Sequence, residues 1–161
     1  MDFAGAISRE IFDISWYWWI ILVVVMIGMM MLRKNIVDSL IAGYVFLILI
    51  ITLLDRTGSH RELELMPFWS YSKLELRGEI ICNYLLFIPL GLLFGLKDKI
   101  SWKTAVLTAA ALSTIIELSQ FIFDKGMCEF DDVFGNTMGC FIGFLVMVII
   151  IKVFSIKRKI Q

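Results

Sequence analysis

Apolar residues in this chain fall into five long, nearly uninterrupted runs, separated by stretches that carry most of the charges. A helix needs about 20 apolar residues to cross the hydrocarbon core of a bilayer. The continuous runs exclude a transmembrane β-barrel, whose strands alternate between apolar and polar residues. The sequence therefore predicts an all-α integral membrane bundle of about five transmembrane helices, forming a single domain. The expected spans lie near residues 14–32, 36–54, 80–96, 104–123 and 133–154.

Composition and charge narrow the class of protein. Hydrophobic residues make up 60% of the 161 residues and charged residues 19%, and the mean hydropathy is +0.86. These values exclude a soluble enzyme. The 15 Lys and Arg residues are balanced by 15 Asp and Glu residues, so bulk charge indicates no nucleic-acid partner. Membrane lipids are the expected surroundings.

The distribution of basic residues predicts the orientation. Lys and Arg are concentrated after the first, third and fifth spans, whereas the other connecting segments are mostly acidic. Because basic residues mark the cytoplasmic side, we expect a multi-pass membrane protein with its amino terminus outside and its carboxyl terminus inside. The external segment 55–79 mixes apolar and charged residues. Its Trp69 suits the membrane interface, and Pro67 would interrupt a helix there.

Polar residues inside the expected spans are the first candidates for function. An ionisable or amide group within a bilayer needs a partner, a water-filled cavity or a function. The informative residues are Asn83, Glu117, Gln120 and Asn136. Helical spacing places two sets of residues on one stripe each, away from lipid. The stripes are Ser113, Glu117, Gln120 and Asp124 on the fourth span, and Asp132, Asn136, Gly139 and Gly143 on the fifth.

The depth of these residues predicts a site. At about 1.5 Å per residue, Glu117 lies roughly 9 Å from the outer end of its span, Asn136 roughly 6 Å and Asn83 roughly 5 Å. Short loops would bring these levels together in a carboxylate and amide cavity that opens to the outside, with Asp131 and Asp132 at its mouth. Glu117 and Asp132 are the candidate catalytic residues. The candidate substrate-binding residues are Asn83, Gln120, Asn136, Asp131 and Trp69.

Small residues and proline predict the packing of the helices. Gly91 and Gly95 form one GxxxG pattern, and Gly135, Gly139 and Gly143 form two in tandem. Such ridges allow membrane helices to pack backbone against backbone, so we expect the third and fifth spans to be neighbours. Pro89 would kink the third span and free a backbone carbonyl. We assign structural roles to Pro89, Gly91 and Gly139.

Simpler interpretations remain open for several residues. The two asparagines would also serve as hydrogen bonds between helices, and the acidic stretch before the fifth span as a solvated turn. Cys82 and Cys128 are both expected near the outer surface, where a disulfide is an open alternative to free thiols. We expect no metal site and no cofactor, since no pattern of ligands or nucleotide-binding residues occurs.

Four ordered motifs in residues 63–145 resemble the VanZ family of membrane proteins. They are ELMPFWSY at 64–71, NYLLFIPLG at 83–91, IELSQ at 116–120 and DDVFGNTMG at 131–139. The residues that match the family pattern are Asn83, Pro89, Gly91, Glu117, Gln120, Asp132, Asn136 and Gly139. Many family members carry an arginine shortly before the final Asp, where this chain has KGMCEFDD and only Lys125 nearby.

The resemblance implies resistance to teicoplanin and related lipoglycopeptide antibiotics in a Gram-positive cell membrane, but supplies no reaction. One hypothesis is that the outward cavity binds or remodels a lipid, the antibiotic or a lipid-linked cell-wall precursor of the envelope. The alternative is an intramembrane enzyme in which Glu117 or Asp132 is the general acid or base on a lipid-linked substrate. Proton-coupled transport is a third hypothesis, weakened because no buried polar residues are expected in the cytoplasmic half.

Overall fold

A computed structural model describes residues 15–32, 35–54 and 61–160 of the chain. Helices dominate these ranges, and two short strands accompany them. The helices are α1 (Trp16–Leu32), α2 (Ile36–Leu49, continued by a π-helical turn over Ile50–Leu54), α3 (Arg77–Gly95), α4 (Trp102–Ile122) and α5 (Phe130–Ile160). The strands are β1 (Leu63–Glu64) and β2 (Cys128–Glu129).

The length and polarity of the helices confirm the prediction of an all-α membrane bundle. Within the described ranges, four helical segments are long and apolar enough to cross a membrane. These are Ile36–Leu54, Leu74–Gly95, Trp102–Ile122 and Phe130–Ser155. The first expected span corresponds to α1, which is apolar but has only 17 residues. Its expected start at residue 14, and residues 55–60 of the external segment, lie outside the described residues.

Helices α3, α4 and α5 begin earlier than expected. Two 3₁₀ turns, Ser70–Ser72 and Leu74–Leu76, lead into α3, so this helix begins at Arg77 instead of residue 80 and shortens the external segment. The fifth helix begins at Phe130 instead of residue 133, with acidic residues in its first turn, where the helix dipole favours negative charge. The fourth begins at Trp102, because the Ser101 side chain accepts a hydrogen bond from the Thr104 N–H.

The end of α4 also corrects the expected polar stripe. The Lys125 N–H donates to the Gln120 carbonyl and the Asp124 N–H to the Phe121 carbonyl, a pattern that closes a helix. Asp124 has a φ of 54°, in the left-handed region that aspartate tolerates better than most residues. It is therefore beyond the helix and exposed, whereas Ser113, Glu117 and Gln120 are buried as predicted.

The close packing of α3 against α5 confirms the interpretation of the glycines. A Cβ at Gly91 would lie 2.0 Å from the Cys140 carbonyl oxygen, and one at Gly139 would lie 2.2 Å from the Tyr84 carbonyl oxygen. No real side chain fits such spaces, so the two backbones touch only because these positions are glycine. Positions further along α3 meet positions further along α5, so the two helices run parallel.

The remaining helices pack around this pair. On α4, Ser113 faces Asn136 and Ala105 faces Cys140, so α4 runs antiparallel to α5. The Tyr44 hydroxyl of α2 donates to the Leu86 carbonyl of α3 at 2.9 Å, next to Pro89, whose missing N–H interrupts the helix ladder nearby. Just beyond the end of α3, Lys97 forms an ion pair with Asp38 in the first turn of α2.

The apolar core lies between α2, α3, α4 and α5. Its buried members include Ile48, Phe87, Leu90, Ala109, Ile116 and Cys140.

One end of the bundle collects the functional candidates, and we refer to it as the polar end. It contains the last turns of α2 and α4 and the first turns of α3 and α5. Strands β1 and β2 pair in parallel there, with Leu63 opposite Cys128 and Glu64 opposite Glu129. This pairing holds the segment before α3 against the segment before α5.

Candidate functional site

The polar end is built in layers on the facing surfaces of α4 and α5. Asn136 and Ser113 form the inner layer, in which Asn136 Nδ2 donates to Ser113 Oγ at 2.8 Å. One helical turn closer to the polar end lie Glu117 on α4 and Asp132 on α5. The antiparallel arrangement therefore places two carboxylates at one level, above an amide and a hydroxyl.

Asn83 connects α3 to the carboxylate layer. Its Nδ2 donates a 2.6 Å hydrogen bond to Asp132 Oδ1. Both residues are half-buried, and Gly135 lies beside Asn83 because a Cβ there would meet Asn83 Cβ at 3.4 Å. The hydrogen bond from the amide fixes the orientation of the carboxylate.

Glu117 and Gln120 connect α4 to the other elements of the polar end. Glu117 is 2% exposed, and its Oε2 accepts a 3.1 Å hydrogen bond from the Glu129 N–H of β2. Gln120 is 3% exposed and donates through Nε2 to the Thr52 carbonyl at 3.0 Å. Thr52 lies in the π-helical turn that ends α2, where backbone carbonyls depart from the α-helical ladder and can accept bonds from other elements.

Asp131 holds the segment before α3 against α5. Its Oδ1 accepts from the Phe68 N–H at 2.6 Å, and its Oδ2 accepts from the N–H and the hydroxyl of Ser70 at 3.0 and 2.5 Å. Phe68 has a φ of 62°, which is unusual for an aromatic residue. Asp131 is 3% exposed. It is therefore covered by the Phe68–Ser70 turn, and this burial corrects the expectation that it lies at an open mouth.

Trp69 lies in that same turn and is half-buried. The Lys73 ammonium is 3.7 Å from the centroid of its ring, a cation–π contact. Its indole Nε1 is buried and forms no hydrogen bond of normal geometry with the described residues. The indole N–H is nevertheless close to the Glu129 carboxylate. It lowers the pKa of Glu129 and so offsets part of the rise that burial causes.

Carboxylates set the electrostatics of the polar end. Burial, followed by repulsion from Glu79 and Asp131, raises the pKa of Glu129 above its ordinary value. Burial also raises the pKa of the Cys128 thiol, with further contributions from Glu117, Asp132 and Glu129. The negative charges of Glu117 and Asp132 therefore both act on the region around Cys128. Cys82, Cys128 and Cys140 form no disulfide within the described part of the chain, so the disulfide alternative is not realised.

Most sequence-predicted site residues are brought together, while their roles stay predictions. Asn83, Glu117, Asp132 and Asn136 share the layers described above, and Gln120 lies a turn beyond Glu117. Trp69 lies over the polar end as part of the turn that Asp131 holds. Sequence reasoning missed the contributions of Thr52, Ser70 and Glu129. Their contacts link positions far apart in the chain, and no local pattern indicates them.

These features define a helical membrane protein with a buried carboxylate and amide cluster at one end. The chain belongs to the VanZ/LLP1 family, whose model matches residues 16–152. It is 37% identical over 100 residues to Protein VanZ of Enterococcus faecium, an alignment that covers 62% of this chain and 56% of that protein. The chain thus matches little more than half the length of this curated relative. No solved structure matches the chain.

Proposed function

We propose that this protein lowers the susceptibility of a Gram-positive cell to teicoplanin and related lipoglycopeptide antibiotics. In this proposal the polar end faces the outside of the cytoplasmic membrane. The cluster around Glu117 binds or remodels a lipid or another component of the cell envelope. Membership of the VanZ/LLP1 family supports the link to resistance, because the family model spans residues 16–152 and so includes the cluster. The similarity to Protein VanZ supports the same link.

The observation that carries the proposal is the burial of Glu117 within the cluster. The Glu117 side chain is only 2% exposed inside a membrane bundle. On insertion scales, the free-energy cost of a charged side chain at the centre of a membrane helix is about 2.5–3.5 kcal/mol. Packing alone would favour an apolar residue at this position. A carboxylate held there together with Asp132 and Asn136, at the end of the bundle, is the arrangement expected of a binding site for a polar headgroup.

The aromatic turn supports an envelope ligand. Phe68 is exposed and Trp69 is half-buried, and the carboxylate of Asp131 fixes both in place over the polar end. Leu65 and Met66 are exposed beside them. Such a surface suits the boundary between headgroups and acyl chains, where a lipid-linked molecule presents both its polar group and its acyl chain.

The test is selectivity between two antibiotics. The wild-type chain is expressed in a susceptible Gram-positive host, and the minimal inhibitory concentrations of teicoplanin and vancomycin are compared with those of cells carrying an empty vector. Vancomycin lacks the lipid tail and serves as the internal control. We expect protection against teicoplanin with little change for vancomycin. Equal susceptibility of the two strains to teicoplanin would refute the proposed function.

An intramembrane enzyme is the second candidate, favoured by the hydrogen bond from Asn83 to Asp132. A general acid or base needs a fixed orientation, and the 2.6 Å bond supplies one. Asp132→Asn keeps the size of the side chain and an acceptor for Asn83 but removes the titrating group. If Asp132 is a general acid or base, protection against teicoplanin is lost in this variant. Retained protection at matched membrane levels argues for binding and against an acid–base role of Asp132.

A further inference from the structure

The inner layer of the cluster contains a buried acceptor with no donor. Asn136 is 3% exposed, and its Nδ2 donates a hydrogen bond to Ser113 Oγ. Its Oδ1 has no hydrogen-bond partner among the described residues. A buried acceptor without a donor is unfavourable, which is why buried polar atoms nearly always have a partner. A donor from outside the chain would remove this cost.

The orientation of the helix directs Asn136 toward the carboxylates. Side chains on an α-helix lean toward its amino terminus, and the amino terminus of α5 is at the polar end. Asn136 therefore leans toward the layer of Asp132, while Glu117 on the antiparallel α4 leans inward toward Ser113. The side chains of Asn136 and Glu117 therefore lean toward each other, between the inner layer and the carboxylate layer.

The groups of these two layers select the chemistry of a ligand. Glu117 and Asp132 present carboxylates. After burial, their charges and that of Glu129 raise the pKa of Cys128 further, which indicates a negative potential around this thiol at the polar end. A phosphate would be repelled. The deepest acceptor, Asn136 Oδ1, is neutral, so it favours an uncharged donor over an ammonium ion, which loses more hydration on burial.

Resting on the function proposed above, we propose that the headgroup bound by the cluster is a neutral, hydroxyl-rich sugar, and that one of its hydroxyls donates to Asn136 Oδ1. The sugar belongs to a membrane glycolipid or to the lipoglycopeptide itself. Both present the same hydroxyl chemistry.

The test uses the full chain in phosphatidylcholine nanodiscs. The probes are paired: a monoglucosyl diacylglycerol against diacylglycerol and phosphatidic acid with the same acyl chains, and teicoplanin against its sugar-free aglycone. Binding is measured for the wild type, for Asn136→Leu, which keeps the volume but removes the acceptor, and for Thr137→Val. Thr137 donates to the Val133 carbonyl of its own helix, so its variant is the matched control on α5.

We expect at least one sugar-bearing probe to bind about tenfold tighter than its sugar-free match, and Asn136→Leu to lose most of that advantage while Thr137→Val keeps it. The pair that shows the advantage identifies the source of the sugar. The inference is overturned if no sugar-bearing probe gains affinity, if phosphatidic acid binds tighter than the glucosyl lipid, or if Asn136→Leu keeps the advantage. The wild-type comparison decides the first two outcomes even if the variant does not fold.

This test is separable from that of the proposed function. Protection against teicoplanin without any preference for sugar-bearing probes would refute only the identity of the ligand. A sugar preference in a chain that gives no protection would refute only the role in resistance.

Discussion

The carboxylate of Asp131 binds both the backbone N–H and the hydroxyl of Ser70, at 3.0 and 2.5 Å, across 61 positions of the chain. A third bond from the Phe68 N–H completes the contact. The turn before α3 is thereby held against the first turn of α5 by one buried side chain. The position of Trp69 over the polar end depends on this contact.

Asp131→Ala should release the turn that carries Trp69. The variant removes three hydrogen bonds to a charged group, each worth about 1.5–3 kcal/mol, and leaves the unfavourable φ of Phe68 without compensation. We expect the amides of Phe68 and Ser70 to exchange their hydrogens at least tenfold faster in hydrogen–deuterium exchange. Ser72→Ala is the control, because Ser72 donates only to the Trp69 carbonyl and is exposed. Unchanged exchange in Asp131→Ala would contradict this account of the turn.

Gly91→Ala should separate α3 from α5. The added Cβ would lie 2.0 Å from the Cys140 carbonyl oxygen, and backbone atoms can relieve that overlap only if the helices move apart. We expect a loss of about 2–3 kcal/mol or more in the free energy of unfolding, measured by denaturation in detergent. Gly78→Ala on the same helix is the matched control, since a Cβ there meets nothing within 4 Å. Equal stability of the two variants would show that the helices do not pack through Gly91.

Cys128 should form its thiolate only at unusually high pH. Burial and the neighbouring carboxylates disfavour the charged form, so the midpoint of its alkylation rate against pH lies above that of an ordinary cysteine. Glu129→Gln removes one of the charges and should shift this midpoint to lower pH. The measurement uses iodoacetamide in a Cys82→Ser, Cys140→Ser background, in which Cys128 is the remaining thiol. A midpoint at the ordinary value, or one that Glu129→Gln does not lower, would contradict the electrostatics described here.

The helices and much of the candidate site follow from sequence patterns, because those patterns reflect local geometry. Apolar runs predict the spans, and helical spacing predicts the shared face of Ser113, Glu117 and Gln120. The glycine ridges predict the neighbours α3 and α5, since close approach leaves no other residue type at Gly91 and Gly139.

What the sequence did not reveal depends on contacts between distant segments. Strands β1 and β2 have two residues each, too few for an alternating pattern to appear. The burial of Asp131 depends on a turn 61 positions away, and the bond from Gln120 depends on a π-helical turn at Thr52. Asp124 leaves its stripe because α4 ends at Ile122 and the chain turns away with a left-handed φ at Asp124.

The central claim is that the cluster around Glu117 performs the function, and teicoplanin susceptibility of Glu117 variants tests it most directly. Wild type, Glu117→Gln, Glu117→Ala and the control Thr114→Val are expressed at matched membrane levels. Thr114 is exposed and donates to the Ala110 carbonyl of its own helix. We predict that Thr114→Val protects like the wild type and that Glu117→Ala does not. Glu117→Gln loses protection if ionisation is needed and keeps it if hydrogen bonding suffices. Full protection by Glu117→Ala would contradict the account and reduce Glu117 to a packing residue.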